Sequence, residues 1–166
     1  MPYPPMPPQL ETARLMLRPW TESDVDAHRE LVAERGNGMP SIEHNRQMIE
    51  DERAASALTG IALLAVIRRD VGDFIGYCGL TVGRASVDEP EIAYELFRQV
   101  HGQGFATEAA SAVLDAAIVT GRKRLWSTVR PWNAPSFRVL DKLGFTRDHV
   151  STDDRGELVW LTRSLA

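Results

Sequence analysis

The sequence predicts an α+β domain on a mostly antiparallel mixed sheet of about seven strands with four helices, in the order β-αα-βββ-α-β-α-ββ. Three observations predict it. Strand-like and helix-like segments mix without strict alternation, which argues against a doubly wound fold. Two apolar runs without helical period, Ile61–Ile67 and Phe74–Val82, are joined by a short turn containing Val71-Gly72-Asp73, as in an antiparallel hairpin. A length of 166 residues, 43% of them hydrophobic and 25% charged, suits one soluble domain with its own core rather than two.

Along the chain, Arg14–Pro19 places Leu15 and Leu17 on one face and Arg14, Met16 and Arg18 on the other, the alternation of a half-buried strand. Thr21 or Ser23 then caps a helix to about Glu34, with Asp24 and Asp26 three residues on in capping-box fashion and Gly36 and Gly38 ending it. A second helix follows Ser41, carries Ile42, Asn45, Met48, Ile49 and Glu52 at helical spacing, and ends before Gly60. The hairpin comes next, then a strand over Glu91–Phe97. Ala106, Ala109, Ala110, Val113, Ala117 and Ile118 recur at three and four, a helix over Ala106–Thr120 whose small face lies close against a sheet. Arg124–Arg130 reads as a strand, Pro135–Leu143 as a helix stopped by Gly144, and Phe145–Val150 and Leu158–Arg163 as closing strands. The first eight residues, MPYPPMPP, lack the backbone donors of a sheet strand. They read as a flexible or extended tail, or as an arm that packs on a partner subunit, ahead of a single domain over 9–166.

Composition excludes several functions. Nineteen Lys plus Arg against 23 Asp plus Glu give a net charge of −4, so a basic nucleic-acid surface is not indicated. A lone cysteine, Cys78, rules out an internal disulfide framework and multi-cysteine metal centres, and it reads as a small core residue in a strand. His28, His44, His101 and His149 are scattered without ligand spacing, so no metal is expected, and His101 is expected to point outward. No stretch reaches the roughly 20 apolar residues of a membrane span, and the N-terminus has no basic and apolar regions of a secretion signal. These features together suit the cytoplasm. Trp126 and Trp160 fall in strands and read as core, whereas Trp20 and Trp132 flank the motifs below, where they line an acceptor pocket or simply pack.

Chemistry concentrates between Glu91 and Ala109, where a strand enters a glycine turn and then a helix. Unpaired backbone N–H groups converge there at a positive helix end, a place for an anion. Gly102 and Gly104 let a phosphate approach the main chain, or let the turn adopt dihedrals that a Cβ forbids. No G-x-x-x-x-G-K-S/T loop occurs, and Thr107 stands where a dinucleotide fingerprint has its third glycine. An ordinary glycine turn into a helix has the same local appearance.

The spacing Gln99-x-x-Gly102-x-Gly104 resembles the Q/R-x-x-G-x-G/A pyrophosphate loop of the GNAT superfamily of N-acetyltransferases. TARLMLRPWTESDVD (Thr12–Asp26) resembles the opening of the branch that contains the ribosomal-protein N-terminal acetyltransferases RimJ and RimL, whose motif set is also found in relatives that modify small amines. NAPSFRVLDKLGF (Asn133–Phe145) is similar to that branch's N-x-x-S-x-x-V-L-x-K-L-G-F block, and Glu108 and Ala109 continue the family's G-Y-A-T-E-A. The resemblance implies a sheet splayed between its fourth and fifth strands with acetyl-CoA in the V-shaped gap. By it, the main chain of Leu96, Phe97 and Arg98 pairs with the pantetheine. Gln99, Gly102, Gln103, Gly104, Phe105, Ala106 and Thr107 wrap the pyrophosphate. Asn133 bonds the pantetheine, and Ser136 lies near the thioester sulfur.

Acetyl transfer to an amine needs a neutral nucleophile, a polarised carbonyl and a proton for the departing thiolate. The resemblance makes Glu91 the base, directly or through a water, although a solvated strand-end carboxylate has the same sequence signature. Asp88, Glu89 and Glu95 lie nearby, and Glu91 and Glu95 share strand parity, so a negative patch can collect a cationic amine. Ser136 is the candidate acid, though a serine there also suits helix capping. Many members of the family carry a tyrosine for this role where this chain has Leu140. A main-chain N–H near Leu96 would polarise the carbonyl. The expected acceptor is a protein N-terminal amine. A small amine, a silent acyl-CoA-binding module and an unrelated nucleotide-binding domain are the alternatives, and the family habit is monomer or homodimer.

Overall fold

Leu15 and Leu17 are fully buried while Met16 and Arg18 are not, so β2 (Leu15–Arg18) enters the sheet with one face on the core. The computed structural model describes residues 3–166; Met1 and Pro2 of the proline-rich segment lie outside the described residues. Four helices, α1 (Val25–Ala33), α2 (Ile42–Thr59), α3 (Phe105–Val119) and α4 (Ala134–Lys142), accompany strands β1 (Leu10–Glu11), β3 (Leu63–Arg68), β4 (Phe74–Thr81), β5 (Glu91–Leu96), β6 (Arg124–Val129), β7 (Thr146–Asp153) and β8 (Gly156–Ser164). They form one α+β sheet of order β1-β2-β3-β4-β5-β6-β8-β7. Every neighbouring pair is antiparallel except β5 with β6.

The sheet has eight strands rather than seven. The addition is β1, whose pairing of Leu10 with Leu17 and Glu11 with Met16 involves two residues, too few to show a period in sequence. The Thr21 capping box is present, with Thr21 N donating to Asp24 Oδ2 at 2.8 Å. It closes a short 3₁₀ turn that leads into α1. Ser41 Oγ accepts from His44 N at the start of α2, and Gly60 ends that helix in the left-handed conformation. The closing hairpin is longer than its apolar pattern suggests, because β7 is exposed along nearly its whole length and its edge side chains show no alternation.

Two features position the site. The alanine face of α3, with Ala109, Ala110, Val113 and Ala117 fully buried, lets the helix lie close on β4 and β5. The parallel pair β5·β6 is joined at a single register point, Glu91 opposite Trp126, next to the bond from Trp126 N to Pro90 O at 3.0 Å. Beyond that point the strands part. These are the strands for which the splay is expected, counted fifth and sixth because β1 precedes them.

The described part of the proline-rich segment does not hang free. Met6 is 5% exposed, its N–H donates to Gly60 O at 2.8 Å, and its side chain belongs to the main core. Tyr3 lies against the buried Arg122 guanidinium at 4.5 Å. At Met6 the segment is therefore core rather than tail, because a flexible thioether fills the gap where α2 ends and β3 begins. Met6→Ala is expected to cost about 2 kcal/mol, seen as a fall in melting temperature of about 4–8 °C. An unchanged melt would show the segment to be dispensable.

Candidate active site

The loop between β5 and α3 begins with a 3₁₀ turn over Arg98–Val100 and passes through Gly102 and Gly104 at φ +78° and +82°. A Cβ on Gly102 would meet nothing within 4 Å, and one on Gly104 would reach only Arg14 Nη2 at 3.5 Å. The two glycines are thus required by left-handed backbone, not by crowding. The helix N-terminus opens into the same loop. Glu108 N, bonded to Gly104 O at 3.0 Å, makes the first intrahelical bond, so the amides of Phe105, Ala106 and Thr107 point outward at the positive end. Gln99 and Gln103 are exposed at its rim. His101, expected to point outward, turns back so that Nε2 lies 2.9 Å from Leu96 O.

A carboxylate in the first turn would compete with a bound anion, and Glu108 is drawn away from that position. Its oxygens accept from Thr12 Oγ1, Arg14 N at 2.9 Å and Arg14 Nε at 2.7 Å. Burial acts to raise its pKa, but these bonds hold the carboxyl below the usual range. The Arg14 guanidinium also lies 4.2 Å over the Phe105 ring, so the start of β2 braces the start of α3.

The gap between β5 and β6 is lined by backbone. Phe97 N donates to Ile75 O at 2.9 Å on the β4 side, and antiparallel alternation then turns the main chain of Leu96 and Tyr94 toward the gap. Of the three main-chain positions expected to meet the pantetheine, Leu96 alone presents its amide there, since Arg98 N donates to Glu34 Oε1 at 3.1 Å. Across the gap, Asn133 caps α4 by accepting from Ser136 N at 3.3 Å. Tyr94 reaches over to α4, donating to Ser136 O at 3.2 Å and meeting Ser136 Oγ at 2.9 Å. Burial pushes the Tyr94 phenol up to about 12, so it keeps its proton at neutral pH. Sequence reasoning missed this residue. The available signal was parity, because Tyr94 shares a face with the buried Ile92 and Leu96. Leu140, at the position where many members of the family carry a tyrosine, is a fully buried core residue.

Glu91 stands on the opposite face of β5 and is 6% exposed. It accepts from Thr128 Oγ1 at 2.6 Å and from Arg84 N, while Gly83 leaves room that a Cβ, 2.0 Å from Oε2, would fill. No cation pairs with it among the described residues. Glu91 and Ser136 are not linked by hydrogen bonds. The neighbouring acids are engaged: Glu95 with Arg35 and Glu89 Oε1 with Trp126 Nε1 at 2.9 Å. Among the described residues no group of three or more His, Cys, Asp or Glu could hold a metal ion, and no helix is long and apolar enough to cross a membrane.

A sheet opened at one parallel pair, with a glycine turn and a helix N-terminus at its mouth, makes a slot for an extended ligand that carries an anionic group. Residues 14–146 match the family model described as an acetyltransferase (GNAT) domain, and the chain belongs to that family. It is 31% identical over 151 residues to the uncharacterized N-acetyltransferase YoaA of Bacillus subtilis, covering 86% of this chain and 85% of that protein. Mycobacterium smegmatis RimJ in complex with CoA-disulfide superposes with a TM-score of 0.82 at 22% identity, covering 97% of this chain and 90% of that one. The ribosomal-protein-S5-alanine acetyltransferase of Vibrio fischeri superposes with a TM-score of 0.79 at 15% identity, covering 94% and 96%. GNAT enzymes use acetyl-CoA, and the exposed amides of the 102–107 turn fit its diphosphate. Gly104→Glu, which puts a negative side chain among those amides, is expected to weaken acetyl-CoA at least about tenfold, read as loss of the thermal shift that acetyl-CoA gives the unmodified protein. An equal shift in both proteins would remove the loop from the cofactor site.

Proposed function

We propose that this protein acetylates a protein N-terminal α-amine by direct transfer from acetyl-CoA in a ternary complex. The observation that carries the reading is the single-point contact of β5 with β6, which leaves the Leu96 and Tyr94 main chain facing a gap that ends at the N-termini of α3 and α4. The fold shared with RimJ and with the enzyme named for the alanine of ribosomal protein S5 supports the choice of acceptor.

Bound acetyl-CoA supplies an activated thioester carbonyl; the rest is the work of this chain. The amides of Phe105, Ala106 and Thr107, reached through Gly102 and Gly104, hold the diphosphate, with Gln99 and Gln103 at the rim. Leu96 N–H donates to the carbonyl oxygen as negative charge develops on it. Asn133, with Oδ1 engaged by the helix cap, offers Nδ2 to the pantetheine. Glu91, about 16 Å along β5 from Leu96 and on its other face, takes the proton of the incoming ammonium through a chain of waters, and its two neutral donors leave its charge uncancelled. Ser136 hands a proton to the departing sulfur and is restored by the second proton that the nitrogen sheds as the amide forms, so thiol, amide and serine hydroxyl all end neutral. Tyr94 is a positioning residue that aims the serine hydroxyl across the gap and stays protonated while doing so.

The reading is tested by mass spectrometry of acetylated peptides that begin with alanine or serine beside N-terminally blocked peptides containing lysine. Modification confined to the free α-amine is expected, and modification only of lysine or of small amines overturns it. Ser136→Ala is expected to lower kcat by about 10²-fold with the KM for acetyl-CoA little changed. Tyr94→Phe should lower kcat less, and the double variant should lose no more than Ser136→Ala alone, since both residues act as a unit. Additive losses would separate Tyr94 from the serine.

A further inference from the structure

A cavity of about 120 Å³ lies between α1, α2 and the sheet, away from the gap between β5 and β6, and it shares only Arg35, the partner of Glu95, with the site described above. Trp20, Tyr77, His28, Met48 and Ile49 give it aromatic and apolar walls. Glu52 projects into it from α2. One of its oxygens accepts Leu63 N at 2.7 Å, an amide beyond the end of β2 that has no strand partner on that side. The second oxygen bonds no other protein group among the described residues and is open to the cavity mouth, and no cation pairs with this carboxylate there.

The other ionisable groups at the cavity are already matched. Arg35 is bound to both oxygens of Glu95, at 3.1 and 3.0 Å from its Nε. Arg53, next to Glu52 in sequence, donates instead to Trp20 O. His28 is buried with Nδ1 2.7 Å from Asn45 Nδ2, and burial holds its pKa down, so the ring is neutral. The walls are rigid, because Trp20 Nε1 is fixed on Leu63 O at 2.9 Å and the Trp20 ring packs 4.8 Å from His28 and 6.1 Å from Tyr77. What remains is a half-buried carboxylate facing aromatic rings; burial raises its pKa, against the Leu63 N–H bond, and an organic cation seated beside it would favour its charged form.

We propose that this cavity receives a cationic end of the acceptor, an alkylammonium or guanidinium group separate from the amine that is acetylated, paired with Glu52 and resting on Trp20 and Tyr77. The proposal rests on the reading that the acceptor amine meets acetyl-CoA at β5. Tyr77 stands opposite Glu95 on the adjacent strand, and Leu63 is one strand further. The cavity is therefore about 5–10 Å from β5, the reach of one extended residue with a long side chain. A lysine or arginine directly after the N-terminal residue has that reach, as does the far end of a five-carbon diamine.

Isothermal titration of the CoA-loaded protein with the peptide Ala-Lys-Gly-Gly, with its norleucine counterpart and with 1,5-diaminopentane tests it. The lysine peptide is expected to bind at least about tenfold tighter than the norleucine peptide, and Glu52→Gln should abolish that preference. The glutamine carbonyl can still accept Leu63 N–H, so the fold is kept, and an unchanged melt checks this. Met48→Lys, a partly exposed wall position, should abolish the preference independently by supplying a competing cation. Equal binding of the lysine and norleucine peptides, or a preference that survives Glu52→Gln, overturns the proposal. If diaminopentane binds with the same Glu52 dependence and is acetylated where the peptides are not, the cavity assignment stands and the N-terminal acceptor reading falls.

Discussion

The pairing of Glu91 with Trp126 is the hinge of this structure, because the strands on either side of it are joined by antiparallel ladders, interrupted only by register shifts at Val66/Ile67 and Arg147/His149. β4·β5 and β6·β8 are fully laddered, so each half is rigid up to the edge of the gap. Between them the parallel pair stops after one position, which strands backbone polar groups that a continuous sheet would satisfy. Side chains take up part of that demand. Ser127 Oγ donates to Ile92 O at 3.3 Å, the His101 ring meets Leu96 O, and Tyr94 crosses to α4. The remaining main chain is where an extended ligand can pair as a strand would.

The same opening explains the charge arrangement around it. The positive end of α3 faces the mouth, and the one carboxylate in its first turn is held back by Thr12 and Arg14 from the start of the chain. On the other face of the sheet lie Glu91, held by neutral donors, and Glu95, matched by Arg35. The positive helix end and these carboxylates thus lie on opposite sides of one strand. Glu52 belongs to the amine side, one layer deeper under α2, and its unmatched charge gives that side a second point of contact beyond the reacting nitrogen.

Local chemistry made much of this legible in the sequence. The glycine turn, the alanine face of α3 and the capping box at Thr21 each depend on residues within a few positions of one another, so spacing alone reveals them. The general order of strands and helices followed from the same periodicities. The two-residue strand β1 and the length of the exposed edge strand β7 did not, since neither carries a pattern.

By itself, then, the sequence determined the α+β class, the position of the glycine turn before α3 and its likeness to one family. Only the tertiary structure decided what meets across the gap. Tyr94 and Ser136 are 42 positions apart, Arg14 and Glu108 are 94 apart, and Glu52 becomes an unmatched carboxylate only when α2 folds over the start of β3. The reason is physical. Helix and strand periods record which face of an element is buried, but they carry no information about which distant side chain will stand opposite it.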